Sequence, residues 1–556
     1  MKKHIRNIVI FSGIAFLISS CTKQESKNKV EDMNIKLSWG MITNMLKGDS
    51  SCRASFTIHN KSNQTLSDSG WAIYYSQSPR EITNAPNAKA IVKHISGDWF
   101  KIIPEQGFSL SPEEKLVVHY DLSHYLINET DAPHYPYIVR YDDNGNETSI
   151  EKITDYTIFP FEKPEQINRG SNDVVPIPTP ANRYQDNQGL SLLADNTLHK
   201  IIPTPVHVNP KDGNLNISNA LKIYYSSDLK SEAIYIREML QNFTGTKFST
   251  LEKDYKNGKA IVLNSKPLNI NGISSEAYML EISSNKGVVI TGSDPTGVFY
   301  GIQSLMSLMP LEIFRSSQNN IKVPNIRVED APRFPYRGQH LDVCRNFFAK
   351  NTVLKLLDLM AFYKLNHLQL YLSEDEGWRI EIEDLPELTA VGAQRQHISK
   401  DAAALHPSYG SGPNSYEKDT HGSGYYSKED FIEILKYAHK RHIKVIPTIN
   451  FPGHARAAIK AMEARYNNFM EKGQEQLANE YRLIDPDEKS KYSSAQGYDD
   501  NVVNVSSESV YRFYDVVIKG ISDMYREAGI PFTFFHTGGM KYPMVLGPIL
   551  QGLMIL

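Results

Sequence analysis

At 556 residues the chain exceeds one ordinary domain, and roughly three or four are expected. Its 40% hydrophobic and 10% aromatic residues can build sizeable cores, which excludes wholesale disorder. With 60 Lys and Arg against 63 Asp and Glu, the net charge of -3 gives no electrostatic reason for a nucleic-acid partner and favours a neutral substrate over a highly charged one.

At the amino terminus, Lys2, Lys3 and Arg6 precede a short apolar run, Ile8 to Ile18. That run is too short to span a bilayer as a stable helix and reads as an export signal. It ends Leu17-Ile18-Ser19-Ser20-Cys21 and is followed by a polar tether, Thr22 to Glu31. Small residues directly before a cysteine resemble a bacterial lipobox; a plain secretory signal with an incidental cysteine is the alternative. The resemblance implies a signal peptide over residues 1–20 and lipid attached to Cys21. It also implies a place on a cell-envelope membrane, expected to be the outer membrane, facing periplasm or exterior. Cys52 and Cys344 fall in different predicted domains, so no disulfide framework is expected and both should be free or buried.

Residues 34–160 are expected to be all-β. Ser55 to His59 alternates, Trp71 to Tyr75 is rich in strand formers, and Asn60, Ser62, Asn63, Asp143, Asn144 and Gly145 supply turns, so a β-sandwich is the natural arrangement. The aromatics of Ser96 to Pro104 could line a sugar-binding face, but core packing is the commoner use of such residues. Residues 161–199, with Pro164, Pro176, Pro178 and Pro180 among polar residues, read as a linker. Residues 200–330 mix strands (Leu221 to Tyr225, Lys286 to Thr291) with helices (Ser231 to Phe243, Gly297 to Met309) in a small α+β domain.

From residue 331 the pattern becomes strict β-α alternation. Strands are expected at Tyr336 to Val343, His367 to Ser373, Ile443 to Phe451 and Phe532 to Gly539. Helices are expected at Asn351 to Tyr363, after the Ser427/Asp430 capping box, and along Val510 to Met524. Such repeats build either a doubly wound sheet or a (β/α)8 barrel, and no glycine-rich phosphate fingerprint supports the first. In a barrel the functional groups gather at the carboxyl ends of the strands. Arg337, Asp342 and Arg345 belong to the first strand; Ser373 to Arg379 end the second, Asn450 to His454 the third and His536 to Gly539 the fourth. Any one of these is more often a helix cap or a salt-bridge partner. Acids, histidines and arginines at all four ends form the layout of acid-base chemistry on a polar substrate.

These strand ends resemble glycoside hydrolase family 20. The resemblance is carried by Tyr336-Arg337-Gly338 with Leu341-Asp342-Val343 and Arg345; by Glu374 to Arg379; by Gly392-Ala393 and Gly424 to Ser427; by Pro452 to Arg456; and by His536 to Gly539. Residues 331–539 then read as the first half of a catalytic TIM barrel. Residues 200–330, with Gly297-Val298-Phe299-Tyr300-Gly301, read as the family's preceding α+β domain, and the β-sandwich resembles the carbohydrate-binding-like domain of bacterial chitobiases. The resemblance implies a β-N-acetylhexosaminidase that removes terminal, non-reducing N-acetylhexosamine with retention. The nucleophile is the substrate's own acetamido oxygen, and neither cofactor nor metal is required. It implies that Arg337 binds sugar hydroxyls, that Asp375 and His454 form a polar network behind the general acid, and that His536 supports the same region. Trp378 should be packing, and Asn450 stands where many members carry Asp, so the partner of His454 is expected to be neutral.

One departure is serious. The family follows Gly-Gly with Asp-Glu; here Gly538-Gly539 is followed by Met540-Lys541. Read one base earlier, the codons of Gly539 to Gln551 permit Asp-Glu-Ile-Pro-His-Gly-Ala-Trp-Thr-Asp-Ser-Pro, with the glutamate and the later glycine forced. A frame shift at Gly539 is therefore expected, with residues 540–556 its product and the chain inactive as written. The alternative is a non-catalytic, glycan-binding lipoprotein. Partners in either case are oligosaccharides or glycoconjugates containing N-acetylhexosamine, and a membrane reached through the lipid.

Overall fold

The computed structural model describes residues 34–46, 51–86, 89–174, 180–193, 200–399 and 403–538; Cys21, Met540 and Lys541 lie outside them. Among the described residues no helix is long and apolar enough to cross a membrane.

The alternation of Ile35–Leu46 turns Leu37, Trp39 and Met41 inward, and Ser51–Asn60 does the same with Ala54, Phe56 and Ile58. These strands lie in a five-stranded sheet with Tyr156–Ile158, Lys115–Ser123 and Ile82–Asn84. A second five-stranded sheet contains Glu147–Lys152, His134–Tyr141, Trp71–Ser76, Trp99–Pro104 and Ala90–Ser96. Their facing sides share a core in which the Trp39 indole donates to the Tyr120 hydroxyl at 2.8 Å and that hydroxyl donates to Gln77 at 2.9 Å. Cys52 is buried and unbridged there, as is Cys344 in the last unit. Trp71–Ser76 is buried at every position, which a half-solvated strand never is. Its outer face, with Tyr74, Trp99 and Tyr137, is covered by a later part of the chain.

The second unit is a seven-stranded mixed sheet carrying the helices Lys230–Thr244 and Pro295–Ser307. The first ends where Gly245 takes φ 68°. The second begins two residues earlier than the sequence suggested, because Asp294 caps it by accepting from the Gly297 amide at 2.8 Å and Pro295 fits its first turn.

The third unit alternates β1 (Gly338–Asp342), α1 (Lys350–Phe362), β2 (His367–Tyr371), α2 (Lys428–His439), β3 (Lys444–Phe451), α3 (Arg456–Glu471), α4 (Glu508–Ala528) and β4 (His536–Gly538). The four strands are parallel and lie in chain order. β4 is shorter than expected. Phe532 and Phe535 turn towards the hydrophobic core instead of extending the ladder, and Pro531 has no amide hydrogen to offer it. Trp378 is buried in that core beside Phe513.

The segment between β2 and α2 is what covers the sandwich. His406 stacks on Trp99, with centroids 5.3 Å apart and planes 7° from parallel, and the Tyr137 hydroxyl lies 3.0 Å from His397 Nδ1. The aromatics of Ser96 to Pro104 thus split: Phe100 serves the sandwich core, whereas Trp99 serves the seam between units. At the tip of that hairpin Gly97 has φ 57°, donates its amide to the Gly497 carbonyl at 3.0 Å, and lets the Tyr498 ring lie where a Cβ would be. Gly97→Ala should therefore lower unfolding stability by roughly 1–3 kcal/mol through overpacking and backbone strain. Urea denaturation against wild type measures this, and an unchanged midpoint contradicts the packing described.

Candidate active site

The carboxyl end of β1 turns on Asp342, whose Oδ1 accepts the amides of Cys344 (2.8 Å) and Arg345 (3.2 Å). This aims the Arg345 guanidinium across the sheet. There it meets Asp342 at 2.8 Å, Glu374 at 2.9 Å and Glu376 at 3.0 Å. Beyond β2, Ser373–Glu374 pairs with Gly377–Trp378 in a very short hairpin that carries Glu374, Asp375 and Glu376 at its tip, all three buried.

Two fully buried arginines hold this hairpin to its surroundings. Arg379 donates to the carbonyls of Val343, Cys344, Ala393, Gly422 and Gly424. Arg395 donates to those of Cys344, Arg345, Glu376 and Ser408. A guanidinium with its fork of donors can staple several main-chain turns at once, which a lysine cannot do.

From the end of β3, after the cis Phe451–Pro452 bond, His454 (φ 55°) places Nδ1 3.0 Å from Asp375 Oδ2 and 3.0 Å from Glu374 Oε2. The remaining acceptor sites of Asp375 are filled by the Arg456 amide at 3.2 Å and the Asn501 side-chain amide at 2.9 Å. Burial by itself would lower the pKa of His454; the hydrogen bonds and charges of Asp375 and Glu374 outweigh it and raise the value to about 10. Burial pushes Glu376 up to about 8 and Glu374 upward too, against the pull of Arg345 on both and of the His454 hydrogen bond on Glu374. Asp342 moves the other way: Arg345 outweighs its burial and holds its carboxyl low. The ligand atoms of Glu374, Asp375 and His454 lie within 4.8 Å of one another, a spacing a metal could also use.

Asp375 and His454 therefore come together as the sequence suggested, but three other expected residues differ. Arg337 precedes the first residue of β1, so it lies at the amino end of a parallel strand, the pole opposite Asp342. Its guanidinium is spent on Glu276 (2.6 Å), Tyr300 (2.8 Å) and the carbonyls of Lys364 (2.7 Å) and Phe334 (2.8 Å). It lines a separate cavity of about 460 Å³ against the α+β unit. The arginine at the site is Arg345, which lies past the strand's carboxyl end; strand polarity alone could have selected it. His536 is exposed, and its Nδ1 accepts from the Gly538 amide at 2.9 Å; the described hydrogen bonds do not link it to Asp375 or His454. Asn450 is not the partner of His454. It accepts from the Tyr371 hydroxyl and donates to the Ser373 carbonyl, each at 2.8 Å, and the partners of His454 are the carboxyl groups of Asp375 and Glu374. Asn501, which also bonds Asp375, carries no mark of that use in its loop sequence.

The family model of the glycosyl hydrolase family 20 catalytic domain matches residues 334–543, that of the family's domain 2 matches 198–331, and a carbohydrate-binding-domain model matches 31–181. The N,N'-diacetylchitobiase of Vibrio harveyi is 34% identical over 96% of this chain, and a β-hexosaminidase of Vibrio vulnificus is 34% identical over 91%. The chain belongs to glycoside hydrolase family 20. It spans 59% of the length of each of those relatives. The crystal structure of an exo-β-N-acetylglucosaminidase from Vibrio harveyi with N-acetylglucosamine shares the fold, with TM-score 0.72 and 24% identity over 94% of this chain and 70% of that one. The family 20 architecture, with an amino-terminal carbohydrate-binding domain ahead of the catalytic domain, is thus shared.

The charge on His454 sets a pH dependence. Its folded-state pKa is raised, so its contribution to stability is complete below the unfolded value of about 6.5 and is lost as pH rises through about 10. Between pH 6 and pH 10 the wild-type denaturation midpoint should fall more steeply than that of His454→Gln. Parallel profiles for the two proteins would contradict a charged His454.

Proposed function

We propose that the strand-tip cluster is the sugar-binding and acid-supporting part of a retaining β-N-acetylhexosaminidase site, and that β1 to β4 are the first four strands of a (β/α)8 barrel. What carries the reading is a buried, charged His454 clamped to Asp375 beside Arg345. Arg345 donates to hydroxyls of the terminal sugar. Its neighbours Glu374, Glu376 and Asp342 hold the guanidinium in place.

In the reaction the substrate's acetamido oxygen forms a bond to the anomeric carbon from the face opposite the leaving group. The glycosidic C–O bond breaks, and a carboxylic acid delivers its proton to the departing oxygen. The same group, now a carboxylate, takes a proton from water as that water opens the oxazolinium ion, so configuration is retained. A second carboxylate orients the acetamido group. Asp375 and His454 sit behind the acid and tune its proton affinity. Family resemblance puts the two working carboxylates directly after Gly539, where this sequence has Met540 and Lys541. Neither side chain is a carboxylate, so neither fills those roles. A second reading, a non-catalytic glycan binder, is favoured by that same absence together with the carbohydrate-binding-domain match over residues 31–181. In both readings Cys21 carries a lipid that holds the protein on a cell-envelope membrane.

A chromogenic β-N-acetylglucosaminide offered to this chain and to a frame-restored version, with Asp-Glu after Gly539, separates them. Turnover is expected only from the restored protein, with the chain as written slower by roughly a thousandfold or more. Equal turnover by both sinks the role given to the missing pair. None from a soluble restored protein sinks the enzyme reading.

A further inference from the structure

The turn of the β-sandwich at Asp98 penetrates the catalytic unit at a point close to the site. We propose that Asp98 is a positioning residue of the sugar site, and that Tyr409, which it holds, is a wall of that site against which a sugar ring packs. The inference rests on the family 20 reading above.

Asp98, itself buried, accepts the Tyr409 amide on Oδ2 at 2.6 Å, a charge-assisted hydrogen bond between two units more than three hundred residues apart in sequence. Trp99 fixes the turn by stacking on His406. Tyr409 has φ 52°, a conformation that L side chains rarely adopt and that local sequence does not favour. The next turns are shaped from outside as well. Gly410 and Gly412 have φ 68° and 76°, and a Cβ at either would press on His134 or the Tyr135 ring of the sandwich. The sandwich thus meets this loop at the turn around Asp98 and at the strand His134–Tyr141, where Tyr409 takes its positive φ.

What this turn presents is an aromatic ring. Tyr409 is 54% exposed, although His406, Ser408 and Ser411 around it are buried. The Arg395 guanidinium lies 5.9 Å from the ring centre, and the same guanidinium holds the carbonyls of Arg345 and Glu376. A rigid aromatic face beside oriented charges suits a pyranose. The C–H face of the sugar covers the ring while its hydroxyls reach the charged groups.

The test uses the full chain with Asp98→Ala, Asp98→Asn and Tyr409→Ala. Amide hydrogen exchange across 406–412 and the dissociation constant for N-acetylglucosamine, from a calorimetric or NMR titration, are the readouts. In Asp98→Ala the Tyr409 amide should exchange faster and sugar affinity fall about tenfold, the scale of one charge-assisted hydrogen bond. Asp98→Asn keeps an acceptor oxygen and should restore both. Tyr409→Ala should lose affinity and leave exchange elsewhere unchanged. Wild-type exchange at Tyr409 in Asp98→Ala overturns the positioning role, and wild-type affinity in Tyr409→Ala overturns the wall. A wild-type chain that binds no sugar defeats the site reading itself, and the exchange result still decides whether Asp98 positions the loop.

Discussion

Three consecutive carboxylates, Glu374, Asp375 and Glu376, leave water together at the tip of one short hairpin. Taking even one carboxylate out of solvent costs several kcal/mol unless an opposite charge and hydrogen bonds meet it, and burial accordingly raises the proton affinity of Glu374 and Glu376. Much of the surrounding architecture meets that demand. Arg345 is shared between Glu374 and Glu376, His454 keeps a proton between Glu374 and Asp375, and the Arg456 amide and Asn501 complete Asp375. Asp342 in turn fixes Arg345. These residues come from the ends of three strands and from a distant loop, so the hairpin can be buried only when the strands are in register.

The parts of this arrangement that the sequence disclosed were those with a periodic or local signature. Helices such as Lys428–His439, with its Ser427/Asp430 capping box, and the order of the β-α repeats follow from side-chain spacing and cap chemistry. Asp375 and His454 stand at strand ends, where position in the chain translates directly into position in space. Arg337 misled because a motif says which residues recur together, whereas polarity along the strand says which pole each one occupies. Arg337 and Arg345 belong to one motif and lie at opposite ends of β1. Asn501 and the Trp99–His406 stack were not legible because each pairs groups far apart in sequence, with neither partner carrying a local mark of its use.

The seam between the sandwich and the catalytic unit is built from aromatic rings and buried polar groups, including Trp99, Tyr137, His397 and His406. Such surfaces are costly to leave in water. The sandwich therefore docks as a fixed buttress, and the strand Trp71–Ser76 is buried on both sides as a result.

Among the described residues, the guanidinium groups of Arg379 and Arg395 hydrogen-bond the loop that follows β2 through carbonyl oxygens, at Ala393, Gly422, Gly424 and Ser408. Every residue type carries a carbonyl. The clamp is therefore indifferent to side-chain identity as such, and the side chains left free to change are the loop's exposed ones, such as Tyr416, because a Cβ at Gly422 or Gly424 would press on Ser411 or Phe347. A scaffold held in this way can acquire new ligand preferences by drift in its loop while the charged hairpin beneath it stays as it is.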